Sequence, residues 1–339
     1  MNILSLAYAS EIKIKDLVLE DRVEYKELSY LEPPLGCALP APISLKKLIE
    51  AANEADVVYF HLTHPPSEVV LIPLRLGTET TLIGGFRSFL QETISMHKMY
   101  KPFFKKITGA FDVLHVLNRS MKEMLNNWGY MNVFLIPNGV DTRAFTLREA
   151  EQEEFVVLFS GYLADYKGVH ELRKIIRKVY SERNLKNIRF VITGEGPEKS
   201  IVQSLVKDYE NVQFMGYVHP TSMPQIYRKA SLFLHLSFTE GMPSTVLEAR
   251  SCGLPSVCFN VPGVEDILTG SNGARVVNKG NIGASVEAIG FYYQLWHDSP
   301  SEYYELSQRV RRDIINRFDL DDINRKFESM LLVASKGKK

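Results

Sequence analysis

The most informative residues of the chain are two glutamates, Glu240 and Glu248, which lie eight positions apart across a Gly-Met-Pro-Ser turn. An apolar run precedes the turn, so this segment predicts a strand, a tight turn and a helix that begins near Pro243 or Ser244. The free N–H groups and the dipole of a helix start favour an anion such as a phosphate. The two carboxylates would repel a bare phosphate but would accept hydrogen bonds from sugar hydroxyls. The combination indicates a ligand with a diphosphate between two sugars, which describes a nucleotide-sugar.

The residues from Glu240 to Val257 closely resemble the Glu-x7-Glu signature of family 4 glycosyltransferases, which are retaining enzymes of the GT-B architecture. The resemblance implies transfer of a sugar from a nucleoside diphosphate donor to a hydroxyl group with retained anomeric configuration. It implies that Glu240 is catalytic, holding sugar hydroxyls and helping to place positive charge at the anomeric carbon, and that Glu248 binds the ribose. The donor-binding segment predicted in this way comprises Glu240, Gly241, Met242, Pro243, Ser244, Thr245 and Glu248.

A second loop, from Ser160 to Gly168, resembles the Gly-Arg-Leu-x3-Lys-Gly loop of the family, whose Arg and Lys neutralise the departing diphosphate. Lys167 matches the Lys, whereas Tyr162 stands in place of the Arg. Because a phenol carries no charge near neutral pH, Lys167 is predicted to be the main cation facing the diphosphate, as both a catalytic and a donor-binding residue. Further donor contacts implied by the resemblance are Tyr162, then Gly194 and Glu195 in a Gly-x-Gly-Pro loop, and Val218 beside the base.

The first half departs from the family pattern. Relatives carry a Gly-Gly loop after the first strand, where this chain has Tyr8–Glu11 without glycine. They also place a His near the reacting sugar, but the strand that aligns best ends without one. The nearest substitute is His61, which is the third catalytic candidate; a packed or hydrogen-bonded histidine is the alternative. These departures favour a second hypothesis, in which the chain is a catalytically degenerate GT-B subunit that binds nucleotide or glycan and supports a partner glycosyltransferase.

Composition narrows the choice of cofactors and partners. The 339 residues include 40 basic and 40 acidic side chains, which argues against nucleic acid as a partner. Asp319-Leu320-Asp321 has the form of a metal site used by the other major glycosyltransferase fold, but it lies where the last helix begins and is interpreted as a helix cap. No metal or other cofactor is therefore expected. The expected partners are a donor of the UDP or GDP type and a glycan, lipid-linked or small-molecule acceptor.

Sequence features also bear on the location of the protein. Three cysteines without metal-type spacing and the lack of an apolar run near the roughly 20 residues of a membrane span predict a cytoplasmic protein. Residues 98–106 mix lysines with aromatic side chains, within a stretch from Gly84 to Arg148 that holds nine basic and four acidic residues. Such a stretch could contact anionic lipid headgroups at the inner membrane face; an ordinary solvated helix face is the alternative.

Short apolar stretches alternate with helical ones along both halves of the chain, which predicts an α/β protein with two doubly wound, Rossmann-like domains. The resemblance adds the GT-B arrangement, in which the domains face a cleft. The predicted domains are 1–148 for the acceptor, 149–300 for the nucleotide-sugar, and C-terminal helices at 301–339 that pack back on the first domain. The predicted strands are 3–7, 23–28, 57–61, 80–83, 113–117, 133–136, 155–160, 188–192, 212–214, 232–236, 256–259 and 274–277.

Overall fold

A computed structural model divides the chain into two compact units. Unit 1 comprises the residues up to Pro137 and those from Arg325 onward, and unit 2 comprises Asn138–Asn324. Unit 2 thus begins before residue 148, the predicted end of the first domain, because Val140 pairs with Asp319 of the same unit. The predicted C-terminal segment is shared between the units. The structure describes residues 3–7, 30–31, 39–40, 42–62, 75, 77–86, 105, 108–148, 153–182 and 185–336.

Unit 1 is built on a parallel sheet. Its elements are β1 (Ile3–Ala7), β2 (Tyr30–Leu31), β3 (Leu39–Pro40), α1 (Pro42–Glu54), β4 (Val57–Leu62), β5 (Thr81–Phe86), β6 (Val113–Val116), α2 (Arg119–Asn127) and β7 (Val133–Leu135). Five strands form the sheet in the order β1-β4-β5-β6-β7, and β2 pairs with β3 separately. Strands β4, β5 and β6 are buried along their whole length. Burial on both faces explains their nearly continuous apolar sequences.

Unit 2 contains a six-stranded parallel sheet in the order β10-β9-β8-β11-β12-β13. Its strands are β8 (Val156–Ser160), β9 (Arg189–Thr193), β10 (Val212–Gly216), β11 (Leu232–His235), β12 (Ser256–Phe259) and β13 (Ala274–Val277). Within this unit the first strand, β8, therefore lies between the second and the fourth. The strand order reverses between β8 and β11, and ligands of open α/β sheets bind outside the carboxyl ends of the strands at such a point.

Helices complete unit 2 and lead back to unit 1. They are α3 (Val169–Ser181), α4 (Lys199–Asp208), α5 (Met223–Lys229), α6 (Ser244–Ser251), α7 (Pro262–Leu268), α8 (Ile282–Asp298), α9 (Pro300–Phe318) and α10 (Leu320–Lys336). Val310 and Ile314, one helical turn apart, are both fully buried on α9. Helix α10 begins in unit 2 and continues into unit 1, where the Phe327 ring packs edge-on against Tyr59 at 5.3 Å.

The predicted α/β class and the two parallel-sheet domains are confirmed. Every predicted strand that falls among the described residues is present, with its ends shifted slightly. The predicted strand 23–28 lies outside the described residues, as do Tyr8–Glu11 and all of 98–106 except Lys105. Among the helices that the structure describes, none combines the length and hydrophobicity that crossing a membrane requires.

Candidate functional site

The loops that follow β8 and β11 pack directly against each other at the reversal point of the unit 2 sheet. Gly168 has a φ of +78°, and a Cβ there would collide with the carbonyl oxygen of Leu236. The Phe238 N–H donates to the Tyr166 carbonyl oxygen at 2.8 Å, which ties the second loop to the first. Only glycine permits both this backbone conformation and this close approach. The packing brings Lys167 and Glu240, 73 positions apart in sequence, into contact.

Lys167 and Glu240 form a partly buried ion pair. Lys167 Nζ lies 2.5 Å from Glu240 Oε1, and the two side chains are 22% and 11% exposed. A third residue, His235 at the end of β11, places its Nε2 3.4 Å from the same oxygen. His235 is 5% exposed, and its Nε2 has no hydrogen-bond partner among the described residues. The carboxylate of Glu240 is thus flanked by a lysine and a buried histidine.

The surroundings of Glu240 favour its charged form. Burial by itself raises the pKa of this carboxyl, but the neighbouring His235 and Lys167 outweigh that effect and lower the pKa to about 2. A nearby cation favours the ionised form of a carboxyl, whereas the loss of water disfavours it. Glu240 is therefore a carboxylate at neutral pH, able to accept hydrogen bonds and to interact with developing positive charge.

Glu248 has different surroundings, on the first turns of α6. Its Oε2 accepts a hydrogen bond of 2.9 Å from the hydroxyl of Tyr227, a fully buried residue of α5. Burial raises the pKa of Glu248, and the Tyr227 hydrogen bond opposes that effect only in part. Proximity to Glu248 adds to burial in raising the pKa of Tyr227 well above its usual value. The structure places Glu248 against a tyrosine rather than a cation.

The helix start between the two glutamates is held by residues from elsewhere in unit 2. Helix α6 begins at Ser244, and Pro243 gives it no side-chain cap. Asn138 donates from its side-chain amide to the Met242 carbonyl oxygen at 2.9 Å and from its backbone N–H to Met242 Sδ at 3.2 Å. On the other side Gly263 packs against Gly241, with no space for a Cβ. The Ser244 and Thr245 N–H groups precede the first helical hydrogen bond, which is donated by Val246, and can donate to an anion.

The other predicted donor contacts lie on neighbouring loops. The Leu163 N–H donates to the Glu195 carbonyl oxygen at 2.8 Å, and Gly194 is so close to Gly161 that a Cβ would collide with its carbonyl oxygen. The Glu195 carboxylate pairs with Lys199 at 2.9 Å, and the Tyr162 side chain is 53% exposed. Val218 follows β10, two strands away from β8 in the sheet. The roles of these residues stay predictions.

His61 lies in unit 1 as the fifth residue of β4. It is 8% exposed, and its ring meets that of Tyr59 edge-on at 4.9 Å. Tyr59 in turn has its hydroxyl 2.7 Å from His115 Nδ1. His61 is thus part of a buried aromatic cluster, and its role in a reaction stays a prediction.

Asp319 caps the start of α10, as the sequence predicted. Its Oδ1 accepts a hydrogen bond of 3.1 Å from the Asp321 N–H at the start of α10, as a capping residue does. Its Oδ2 accepts a hydrogen bond of 2.5 Å from the Thr142 hydroxyl. Both carboxylate oxygens of Asp319 are therefore engaged within unit 2.

Comparison with protein families identifies the part of the chain that carries this site. Residues 154–294 match the family described as Glycosyl transferases group 1. This region is a group 1 glycosyltransferase domain. The predicted glycosyltransferase resemblance is thereby confirmed for this region, which contains Lys167, Glu240 and Glu248, whereas the Glu-x7-Glu signature itself stays a prediction. Retention of configuration stays a prediction.

Curated relatives of the group 1 domain cover part of the chain. A phosphatidylinositol N-acetylglucosaminyltransferase subunit from Arabidopsis thaliana is 29% identical over 182 residues, which are 52% of this chain and 40% of that protein. The GPI3 subunit of the same enzyme from Saccharomyces cerevisiae is 25% identical over 205 residues, 54% of this chain and 44% of the relative. The chain thus spans less than half the length of these relatives.

Solved structures extend the similarity to most of the chain. HepE from Anabaena, solved in complex with UDP and glucose, superposes with a TM-score of 0.69 at 16% identity and covers 86% of this chain and 81% of that one. Sucrose-phosphate synthase from Thermosynechococcus elongatus gives a TM-score of 0.71 at 18% identity, with coverage of 90% and 82%. The predicted GT-B fold is confirmed by this similarity.

Two residues of the site were missed in reasoning from the sequence. His235 is the ionisable residue of the apolar run before the turn, and its place at the carboxyl end of a predicted strand was a usable signal. Asn138 precedes Gly139, a pair that is typical of a plain turn, yet its side chain holds the backbone of Met242. No local pattern reveals that contact, because the two residues are 104 positions apart.

Proposed function

We propose that the chain is a retaining glycosyltransferase, which transfers a sugar from a nucleoside diphosphate-sugar to a hydroxyl group of an acceptor. The observation that carries this proposal is the meeting of Lys167 and Glu240 beside the start of α6, at the reversal point of the sheet. A cation and free helix amides suit a diphosphate, and carboxylates suit sugar hydroxyls. The group 1 match of the same region supports the proposal.

In the proposed reaction, catalysis depends on stabilising the leaving diphosphate. Negative charge builds on the phosphate as the bond between the sugar and its oxygen breaks, and the Lys167 ammonium group with the Ser244 and Thr245 amides would stabilise that charge. Glu240, ionised because its pKa is low, would hold sugar hydroxyls and face the positive charge that develops at the anomeric carbon. None of these roles requires a covalent intermediate or a metal ion.

The donor is proposed to be a UDP-sugar, with a GDP-sugar as the alternative. The support is that HepE and the pneumococcal O-GlcNAc transferase GtfA were each solved with UDP. The acceptor is proposed to be a glycan or a lipid-linked hydroxyl, since curated relatives are named for transfer to phosphatidylinositol. A cytoplasmic location with peripheral membrane contact through residues 98–106 fits a lipid-linked acceptor.

A second candidate function is a degenerate subunit that binds the donor without turnover. Two observations favour it. The position of the second diphosphate-neutralising cation is taken by Tyr162, which is 53% exposed, and the matched relatives from Arabidopsis and yeast are named as subunits. The enzyme hypothesis is favoured by the ion pair of Lys167 and Glu240, which the binding function alone would not need.

One experiment separates the two functions. UDP and GDP are titrated into the protein by calorimetry, and UDP- and GDP-sugars are then tested for transfer to glycan and lipid-linked acceptors and for hydrolysis. Binding with turnover supports the transferase, and binding without turnover supports the non-catalytic role. Failure to bind either nucleotide contradicts both. The same assays can be applied to Lys167→Ala, a variant without the proposed phosphate-binding cation. Its matched control is Lys174→Ala, because Lys174 also pairs with a glutamate of unit 2 but is 58% exposed.

A further inference from the structure

The nitrogen Nε2 of His235 is a buried polar atom without a hydrogen-bond partner among the described residues. Its ring stacks on Phe233, with ring centroids 6.2 Å apart and planes inclined by 25°. Stacking fixes the ring plane, and Nε2 then lies 3.4 Å from Glu240 Oε1. Buried polar groups are nearly always hydrogen-bonded, so an exception of this kind calls for a functional explanation.

Lys167 would have two anionic partners under the proposed function. In the structure its Nζ lies 2.5 Å from Glu240 Oε1. The same ammonium group is the proposed partner of the donor diphosphate, and a single Nζ that turns to the phosphate weakens its bond with the carboxylate. Glu240, whose side chain is 11% exposed, would then be a buried anion with a weakened bond to its cation. Removing one partner from a buried ion pair is strongly destabilising.

We propose that His235 takes over the carboxylate of Glu240 when Lys167 engages the donor diphosphate, and that it is a positioning residue for Glu240. The proposal rests on the proposed function of the site. Nε2 lies 3.4 Å from the oxygen that Lys167 would loosen, without hydrogen-bonding geometry. An approach of about 0.5 Å together with a small rotation of the ring or the carboxylate would form a normal hydrogen bond. Both the Nε2–H tautomer and the imidazolium supply the donor, so the exchange requires no change of protonation.

The exchange has a consequence for donor binding. Without His235 the diphosphate would have to draw Lys167 away from a carboxylate that has no second partner, which disfavours the bound state. With His235 the carboxylate keeps a hydrogen-bond donor in both states. His235 would thereby lower the cost of releasing Lys167 and keep Glu240 oriented toward the sugar.

Three substitutions isolate this role. His235→Phe preserves a ring that can stack on Phe233 but removes Nε2. His235→Gln retains a side-chain amide that can reach the position of Nε2. Lys167→Met keeps the apolar stem of the lysine and removes the ammonium group, which imitates the departure of Nζ to the phosphate.

The first measurement needs no ligand and uses the full chain. Unfolding in urea is followed by the fluorescence of Trp296, on α8 of unit 2, in a Trp128→Phe background, since the chain has two tryptophans. His235→Phe should lower the equilibrium constant for folding in both backgrounds. The decrease should be about tenfold larger in the Lys167→Met protein than in the parent, because without Lys167 the Glu240 carboxylate depends on Nε2. In a Glu240→Gln background this difference should vanish. An equal cost of His235→Phe in both backgrounds is the result of a merely structural histidine and would overturn the proposal.

The second measurement is the binding of UDP and GDP by calorimetry. His235→Phe should weaken the affinity for the bound nucleotide about tenfold, and His235→Gln should restore it to within about threefold of the parent. Unchanged affinity in His235→Phe, with the parent binding normally, contradicts the exchange of partners. If the parent binds neither nucleotide, the proposed function fails, whereas the unfolding measurement still decides whether His235 supports Glu240.

Discussion

The surroundings of Glu240 and Glu248 differ although the residues are identical and eight positions apart. Glu240 lies in a loop between Lys167 and His235, and its pKa is lowered to about 2. Glu248 lies on the first turns of α6 against Tyr227, and burial raises its pKa. The comparison shows that the spacing of the two residues does not determine their ionisation. The groups that surround each carboxyl do, namely Lys167 and His235 for Glu240 and Tyr227 for Glu248.

This difference suits two tasks in one reaction. A permanently ionised carboxylate beside a lysine can respond to charges that develop on the sugar and the diphosphate. A carboxyl bonded to a tyrosine hydroxyl is suited to holding neutral hydroxyl groups by hydrogen bonds. We therefore expect substitutions at Glu240 and Lys167 to change charge-dependent properties, and substitutions at Glu248 to change nucleotide binding.

The largest expected effect is on acid stability and concerns Glu240. Its folded-state pKa of about 2 lies below the ordinary value of 4.5, so its contribution to stability is present above pH 4.5 and lost as the pH falls toward 2. The shift corresponds to about 3 kcal/mol. Urea unfolding monitored by Trp296 should show the advantage of the parent over Glu240→Gln shrinking by about this amount between pH 6 and 2. The control is Glu154→Gln, whose pair with Arg189 is exposed. A constant advantage across this range would show that Glu240 is not stabilised by its neighbours.

The next effect is on turnover and concerns Lys167. Lys167→Ala should reduce kcat by about a hundredfold and reduce donor affinity much less, because charge on the leaving diphosphate is greatest in the transition state. The measurement is the transfer rate at saturating donor, beside calorimetric titration of the nucleotide. Lys174→Ala should leave both unchanged. Equal losses in kcat and affinity would mean that Lys167 binds the ground state and the transition state alike.

Glu248 should affect binding rather than turnover. Glu248→Ala is expected to weaken UDP or GDP affinity about tenfold or more, since a hydrogen bond to a charged group contributes about 1.5–3 kcal/mol. Calorimetry gives the affinity, and circular dichroism verifies the fold. Tyr227→Phe is the matched control, because it removes the existing hydrogen bond and leaves the carboxylate in place. Unchanged affinity in a folded Glu248→Ala protein would remove this residue from the nucleotide site.

A smaller effect is the pH dependence of stability at Glu248, which should have the opposite sign to that at Glu240. Because the pKa of Glu248 is raised, its protonated form favours the fold, and that contribution is lost as the pH rises through its folded pKa. Glu248→Gln should therefore gain stability relative to the parent as the pH increases, opposite to the trend for Glu240→Gln in acid. The same unfolding assay tests this, and trends of the same sign at both positions would contradict the comparison.

The smallest expected effect is that of chelation. If Lys167 and helix amides neutralise the diphosphate, transfer in EDTA should stay within a few-fold of transfer in Mg²⁺ or Mn²⁺. Loss of transfer in EDTA that is restored by added metal would contradict this mechanism. Asp319→Asn is then a useful control, because Asp319 caps α10 and should affect stability but not metal dependence.

Much of the fold was predictable because parallel strands that are buried on both faces are short and apolar, and because helices show a regular spacing of buried residues. The position of the Glu240 loop was predictable for a similar reason, since a strand, a turn and a helix are local. The side chains that contact the two glutamates were harder to predict from the sequence. Tyr227 reaches Glu248 from a separate helix. His235 lies in an apolar strand, where a histidine usually packs as a core residue, so its sequence context does not indicate a functional role.

The start of unit 2 at Asn138 is not visible in the local sequence. The pairing of Val140 with Asp319 adds the segment after Pro137 to unit 2, although it precedes the first strand of that unit. Such a pairing depends on contacts between distant parts of the chain. The local sequence near residue 148 carries no information about it.

If the site binds the proposed donor, the close packing of its loops limits the positions at which evolution or engineering can change donor preference. Gly168 and Gly194 leave no space for a side chain, because each lies against the backbone of a neighbouring loop. Substitution at either position would displace a whole loop rather than reshape one contact. Tyr162 and Tyr166, on the loop that leads to Gly168, and Tyr217, on the loop after β10, are 53%, 47% and 66% exposed. A library that varies these tyrosines and keeps the glycines could explore new sugars on an unchanged scaffold.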